Sequence, residues 1–114
     1  MQYQASLRKL VIRDDRFVEH VLTRNSECTK AAGLDERTSA LIRIGALVAL
    51  DAQLGSFLSA VTAALDAEAT PDEIVGALLA VTPIAGTARA VSSASILALA
   101  LGYDLAEALE LNER

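Results

Sequence analysis

The sequence predicts an all-α fold, and three features carry the prediction. Apolar residues recur every three or four positions through most of the 114 residues. Residues that cap helices stand at the starts of these runs. No run has the alternation or the β-branched density of a strand.

The elements follow in order. Asp14 or Asp15 can cap a first helix, in which Phe17, Val18, Val21 and Leu22 repeat at helical spacing. Asn25 and Ser26 interrupt it before Cys28, Ala31 and Ala32, and Gly33 ends the segment. Asp35 caps the next helix, whose inner face is Leu41, Ile42, Ile44, Gly45 and Val48. Asp51 falls where a new N-cap is expected, ahead of Leu54, Phe57, Leu58, Val61 and Leu65. The sharpest local signal is TPDE at 70–73. Thr70 is a good N-cap, Pro71 suits the first helical position, and Glu73 can close a capping box on Thr70. Ile74, Leu78 and Val81 then form a buried stripe, until Pro83 and Gly86 break the helix. The stretch from Thr87 to Leu101 reads as a helix apolar nearly all round, stopped at Gly102, and such a helix is normally buried on every side. Asp104 caps a last helix carrying Leu105, Leu109 and Leu111, with a fraying ELNER end. Of 22 alanines, 19 lie from Ala40 onward, with Ala90, Ala94 and Ala98 at steps of four. Small residues on one stripe let helix backbones approach closely, so the second half is expected to be the packed centre.

A chain of this length is expected to form one domain, residues 1–114, burying roughly two thirds of its unfolded surface. The hydrophobic fraction is 53% and the mean hydropathy +0.37, more than so small an interior can hold, which predicts a homo-oligomer. Aromatics make up only 4%, poor support for stacking on bases. Charge is lopsided: residues 1–50 hold eight Lys/Arg against six Asp/Glu, residues 51–114 two against nine. The acidic half would repel phosphate, and the one basic cluster, Arg8-Lys9 with Arg13 and Arg16, reads as a solvated face, so no nucleic-acid partner is expected. The start has no long apolar core before its charges, and the longest uncharged run, Ile74 to Ala88, is too short to cross a bilayer. A cytoplasmic protein without membrane partners is the expectation, and the single Cys28 fits a reducing compartment.

The stretch GLDERTSALIRIGALVAL, about twenty helical residues, and then LDAEATPDEIVGALLAVTPIAGTARAV resembles the carboxymuconolactone decarboxylase family, which includes the alkylhydroperoxidase D-like proteins. Leu34, Leu41 and Ile42 fit its first part; Ala69-Thr70-Pro71-Asp72-Glu73-Ile74 and Ala85-Gly86 fit its last. The resemblance covers about residues 34–101. It implies a small multi-helix orthogonal bundle of the alkylhydroperoxidase D-like type, assembled as trimers or a multiple. In thiol-using members a Cys-x-x-Cys opens the central helix, where the helix N-terminus favours the thiolate, and a His one turn on can move its proton. Counted back from Thr70, those positions fall on Gln53, Ser56 and Ala60, and the family's Glu on the preceding helix falls on or beside Ala40. None of these residues carries the reactive group. The catalytic residues are therefore unassigned, and Asp51, Gln53 and Ser56 read equally well as a helix start.

Other reactive candidates are thin. His20, beside Glu19 and one turn from Arg16 and Arg24, reads as a surface histidine, and Cys28 as a small half-buried residue. Glu19 and Glu27 make no metal set, and neither a phosphate loop nor a Ser–His–Asp pattern can be assembled, so neither metal nor cofactor is expected. Two functions remain. One is a divergent enzyme of the family taking a small organic acid or peroxide between helices, with Arg43, Gln53, Ser56 and Arg89 as candidate ligand contacts, and without dithiol chemistry. The other is a non-catalytic helical oligomer serving as a binding or assembly module.

Overall fold

A computed structural model describes residues 3–23 and 25–112, without the side chains of Thr23, Asn25, Ser26, Leu105, Ala108, Leu111 and Asn112. These residues form eight helices: α1 (Tyr3–Val11), α2 (Asp15–Thr23), α3 (Asn25–Ala32), α4 (Glu36–Ala49), α5 (Leu54–Asp66), α6 (Pro71–Ala85), α7 (Thr87–Ala100) and α8 (Leu105–Asn112). No strand occurs among them. The chain divides into two compact units, Met1–Glu36 and Arg37–Arg114.

In the first unit, α1 is an element that sequence reading did not anticipate. Asp14 is the cap of α2, its Oδ1 accepting from the Phe17 amide at 3.2 Å. Phe17, Val18 and Val21 are half-buried, whereas Leu22, expected on the same face, is exposed. The expected interruption at Asn25 and Ser26 falls at the α2–α3 junction, and Gly33, at φ 71°, closes α3.

The second unit holds the core. Ile44 and Val48 of α4, Phe57, Val61 and Ala64 of α5, Ile74 and Leu78 of α6 and Leu97 of α7 are buried together with Ala40 and Ala69. Thr70 opens α6 as expected: its hydroxyl accepts from the Glu73 amide at 3.1 Å, and Glu73 Oε1 accepts from the Thr70 amide at 3.0 Å. Glu73 Oε2 also lies 3.5 Å from Arg37 of α4. Asp104 caps α8 through the Glu107 amide at 3.0 Å.

Several expectations are corrected. Asp51 is not the cap of α5; it closes α4. The Asp51 amide donates to the Val48 carbonyl and the Ala52 amide to that of Leu47, with Asp51 at φ 53°. This is a Schellman ending, in which one residue turns left-handed so that the last carbonyls are satisfied. The same pairing closes α1 at Arg13, α5 at Glu68 and α7 at Gly102, and only the last uses glycine. Pro83 does not stop α6, which runs on to Ala85. A proline so near the end forfeits one backbone bond, and Pro83 is exposed to solvent, which can replace it. Leu54, Leu58 and Leu65 are two-fifths exposed, because α5 turns the Phe57–Val61–Ala64 stripe inward instead. Ile42 is likewise more than half exposed, while Ser39 and Ala40 join the inner face of α4. Nor is α7 buried on all sides. Only Ser93 and Leu97 are buried, Ala94 is exposed, and Val91 and Leu99 face outward.

Candidate functional site

The positions that the resemblance assigns to chemistry lie where α4 hands over to α5. After the left-handed turn at Asp51, Gln53 takes the N-cap position in an extended conformation. It caps through its backbone, its carbonyl accepting from the Ser56 and Phe57 amides at 3.1 and 3.3 Å; its side chain makes no cap bond. Ser56 stands in the first turn of α5, exposed, and Ala60 follows one turn on, half-buried. An amide, a hydroxyl and a methyl group can orient a ligand, but they supply neither a thiolate nor a proton shuttle.

The four ligand candidates are spread over three helices. Arg43 is half-buried on α4 and already engaged by a partner. Gln53 and Ser56 stand at the start of α5, and Arg89 is exposed in the first turn of α7. None of the four lines any of the three clefts described next.

One cleft in the second unit is a groove of about 330 Å³ between α4 and α6, lined by Thr38, Leu41, Ile42, Gly45, Ala77, Ala80 and Val81. At Gly45 the two helices come close: a Cβ there would stand 2.9 Å from Val81 Cγ1, inside contact distance. The Arg37–Glu73 pair joins the same two helices a little nearer their N-termini. Both pairings have the same sequence offset, so α4 and α6 run side by side in the same direction. Apart from Thr38 the lining is apolar, and its volume lies at the lower end of small-molecule sites. A second cleft, about 470 Å³, lies between the end of α7 and α8 and is lined by Ser95, Leu99, Tyr103 and Asp104 among others. Its carboxylate is occupied in capping α8.

The third cleft, in the first unit, measures about 380 Å³ and gathers Lys9, Asp14, Arg16, Phe17 and His20. Lys9 Nζ sits 5.3 Å from the Phe17 ring centroid, a cation–π contact. His20 is exposed, as expected, with Nδ1 3.5 Å from Glu27 Oε2. Arg24, expected one turn from it, lies outside the described residues. Cys28 is half-buried on α3. Sequence reasoning missed both the α4–α6 groove and the folding of Lys9 onto Phe17. Each depends on a pairing between helices that no local spacing encodes.

Comparison with known proteins gives one finding. The model of the carboxymuconolactone decarboxylase family matches residues 16–99, from the first turn of α2 to the last turn of α7. It reaches further upstream than the stretch that carries the visible motifs, and so takes in α2 and α3. No curated protein and no solved structure matches the chain.

Proposed function

Because the chain belongs to the carboxymuconolactone decarboxylase family, we propose that it is a divergent member that takes a small organic acid or peroxide between its helices without dithiol chemistry. The observation that carries this reading is the α4–α6 groove, an apolar slot with the close approach of Gly45 and Val81 in its lining, on the helix that leads into the α5 start. A ligand's apolar body suits that lining. The candidates for its anionic end, Arg43, Gln53, Ser56 and Arg89, stand outside that lining, so the anionic end would project beyond the groove to reach one of them. A family match that runs through both units supports treating the chain as one functional domain.

The test is thermal unfolding against a panel of small carboxylic acids. A ligand at a hundred times its dissociation constant adds about 2.7 kcal/mol, which in a domain of this size raises Tm by roughly 10 °C. If no acid moves the wild-type transition, or if Arg43→Ala leaves a responding acid unaffected, the reading fails. A redox arm is separate. Cys28 stands alone and distant in sequence from Gln53 and Ser56, and a dithiol cycle needs a second, resolving thiol. Peroxide consumption coupled to a dithiol reductant should be absent, and Cys28→Ser should change nothing. Robust turnover lost in the Ser variant would make Cys28 the nucleophile.

A second reading, a helical oligomer acting as an assembly module, is favoured by one observation. Leu79, Ile84, Val91 and Leu99 of α6 and α7 are all more than half exposed, Ile84 by 90%. A single small chain gains little by showing water so many large apolar side chains. Both readings share a homo-oligomer, a trimer or its multiple, in the orthogonal bundle of the family and in the cytoplasm.

A further inference from the structure

We infer that the cleft at the α1–α2 corner binds a small phosphate monoester, at a site separate from the α4–α6 groove and independent of its reading. Along the chain Lys9, Arg16 and His20 are scattered and read as parts of solvated faces. The corner gathers them. The Asp14 amide donates to the Lys9 carbonyl at 2.8 Å and the Arg13 amide to that of Leu10 at 3.1 Å. With Arg13 left-handed at φ 54°, these bonds tie the end of α1 back to the start of α2. Lys9 thereby stands over the Phe17 ring, with Nζ 5.3 Å from the centroid, instead of sweeping through water. Arg16 and His20 are four residues apart on α2, so they are neighbours on one face of that helix. All three line one cleft of about 380 Å³, together with Asp14 and Phe17.

The charge of that lining calls for an anion. Lys9 and Arg16 stand against a single carboxylate, Asp14, whose Oδ1 already accepts from the Phe17 amide. Neither Lys9 nor Arg16 has an ion-pair partner among the described residues. His20 turns Nδ1 toward Glu27 Oε2, and Glu27 is not part of the lining. The donors then select the class of anion. The Arg16 fork alone fills a planar carboxylate, whereas the three terminal oxygens of a phosphate can take the ammonium, the guanidinium and the imidazole together. The volume lies at the lower end of small-molecule sites, which leaves room for a small organic body on the phosphate. A nucleic acid needs a basic track that follows several phosphates. A chain of net charge −5 opposes that polymer and an anionic bilayer alike.

His20 is the only histidine, so its imidazole resonances in nuclear magnetic resonance report on this cleft directly. Phenyl phosphate titrated into the full-length protein, at constant pH and ionic strength, should shift them saturably. Arg16→Gln and Lys9→Gln should each weaken binding at least about tenfold, and Arg16→Lys, which keeps the charge but loses the fork, by less. Arg8→Gln removes one charge from the same helix outside the cleft, and should change the dissociation constant by less than about twofold. A shift that never saturates, or that sodium chloride reproduces, would mean charge screening only and overturn the inference. Equal losses in Arg8→Gln and Lys9→Gln would do the same. Benzoate bound as tightly as phenyl phosphate would overturn the choice of phosphate. Sedimentation with phosphatidylinositol phosphate vesicles, or capture of an oligonucleotide, without any response to phenyl phosphate would overturn it in favour of a membrane or a nucleic acid.

Discussion

Helices α5 and α7 are nearly equal in length and alike in composition, yet they do opposite things. The first turns Phe57, Val61 and Ala64 into the core. The second buries only Ser93 and Leu97 and leaves Leu99 67% exposed. Ser93 is 1% exposed, and its hydroxyl, like that of Ser39, has no hydrogen-bond partner among the described residues. The difference teaches that apolar content sets how much surface wants cover, while the geometry of one chain decides how much receives it.

The comparison breaks most easily at its extremes. Phe57→Ala should cost about 3–5 kcal/mol, while Leu99→Ala in a dilute, monomeric sample should stay within about 0.5 kcal/mol. Equal losses in chemical denaturation would mean that α7 is covered even in the monomer. Next comes the close contact beneath the groove. Gly45→Ala sets an overpacking cost of about 1–3 kcal/mol against the roughly 1 kcal/mol that Ala gains over Gly in a helix, for a net loss of up to about 2 kcal/mol, and Val81→Ala in the same chain should recover part of it. A Gly45→Ala chain as stable as wild type would mean that α4 and α6 are not held so close.

Thr70→Ala should cost about 1 kcal/mol through the lost cap. No change would mean that α6 takes its stability from packing alone, as α7 must. The smallest effect sharpens the comparison most. Ser93→Ala removes a buried hydroxyl whose unmet desolvation is worth about 1–3 kcal/mol, offset by the packing that the oxygen itself provides, so stability should hold or rise by up to about 1 kcal/mol. A clear loss would show that the Ser93 hydroxyl is hydrogen-bonded in solution.

What the sequence made legible was local. The Thr70–Glu73 box, the Asp14 and Asp104 caps and the glycine stops at 33 and 102 all depend on residues three to six apart, and each stands where it was read. Asp51 misled because a carboxylate suits both a cap and a left-handed turn, and Arg13 and Glu68 close their helices with no glycine to announce it. The first helix was hidden by the mixing of its apolar stripe with Arg8 and Lys9. Counting back from Thr70 put the positions that the resemblance implies at the start of α5, on Gln53, Ser56 and Ala60, none of which carries a thiol or an imidazole. The groove could not be counted, because it arises where Gly45 meets Val81 across a long stretch of intervening chain.

The Glu73 carboxylate has a consequence for the order of folding. One of its oxygens holds the Thr70 amide, and the other faces Arg37, more than thirty residues away in sequence. The first bond closes within a single turn, on the microsecond-or-faster scale of helix formation; the second waits for distant chain to arrive. Once the turn has formed, the carboxylate is already aimed, so Arg37 meets a fixed acceptor rather than a swinging one.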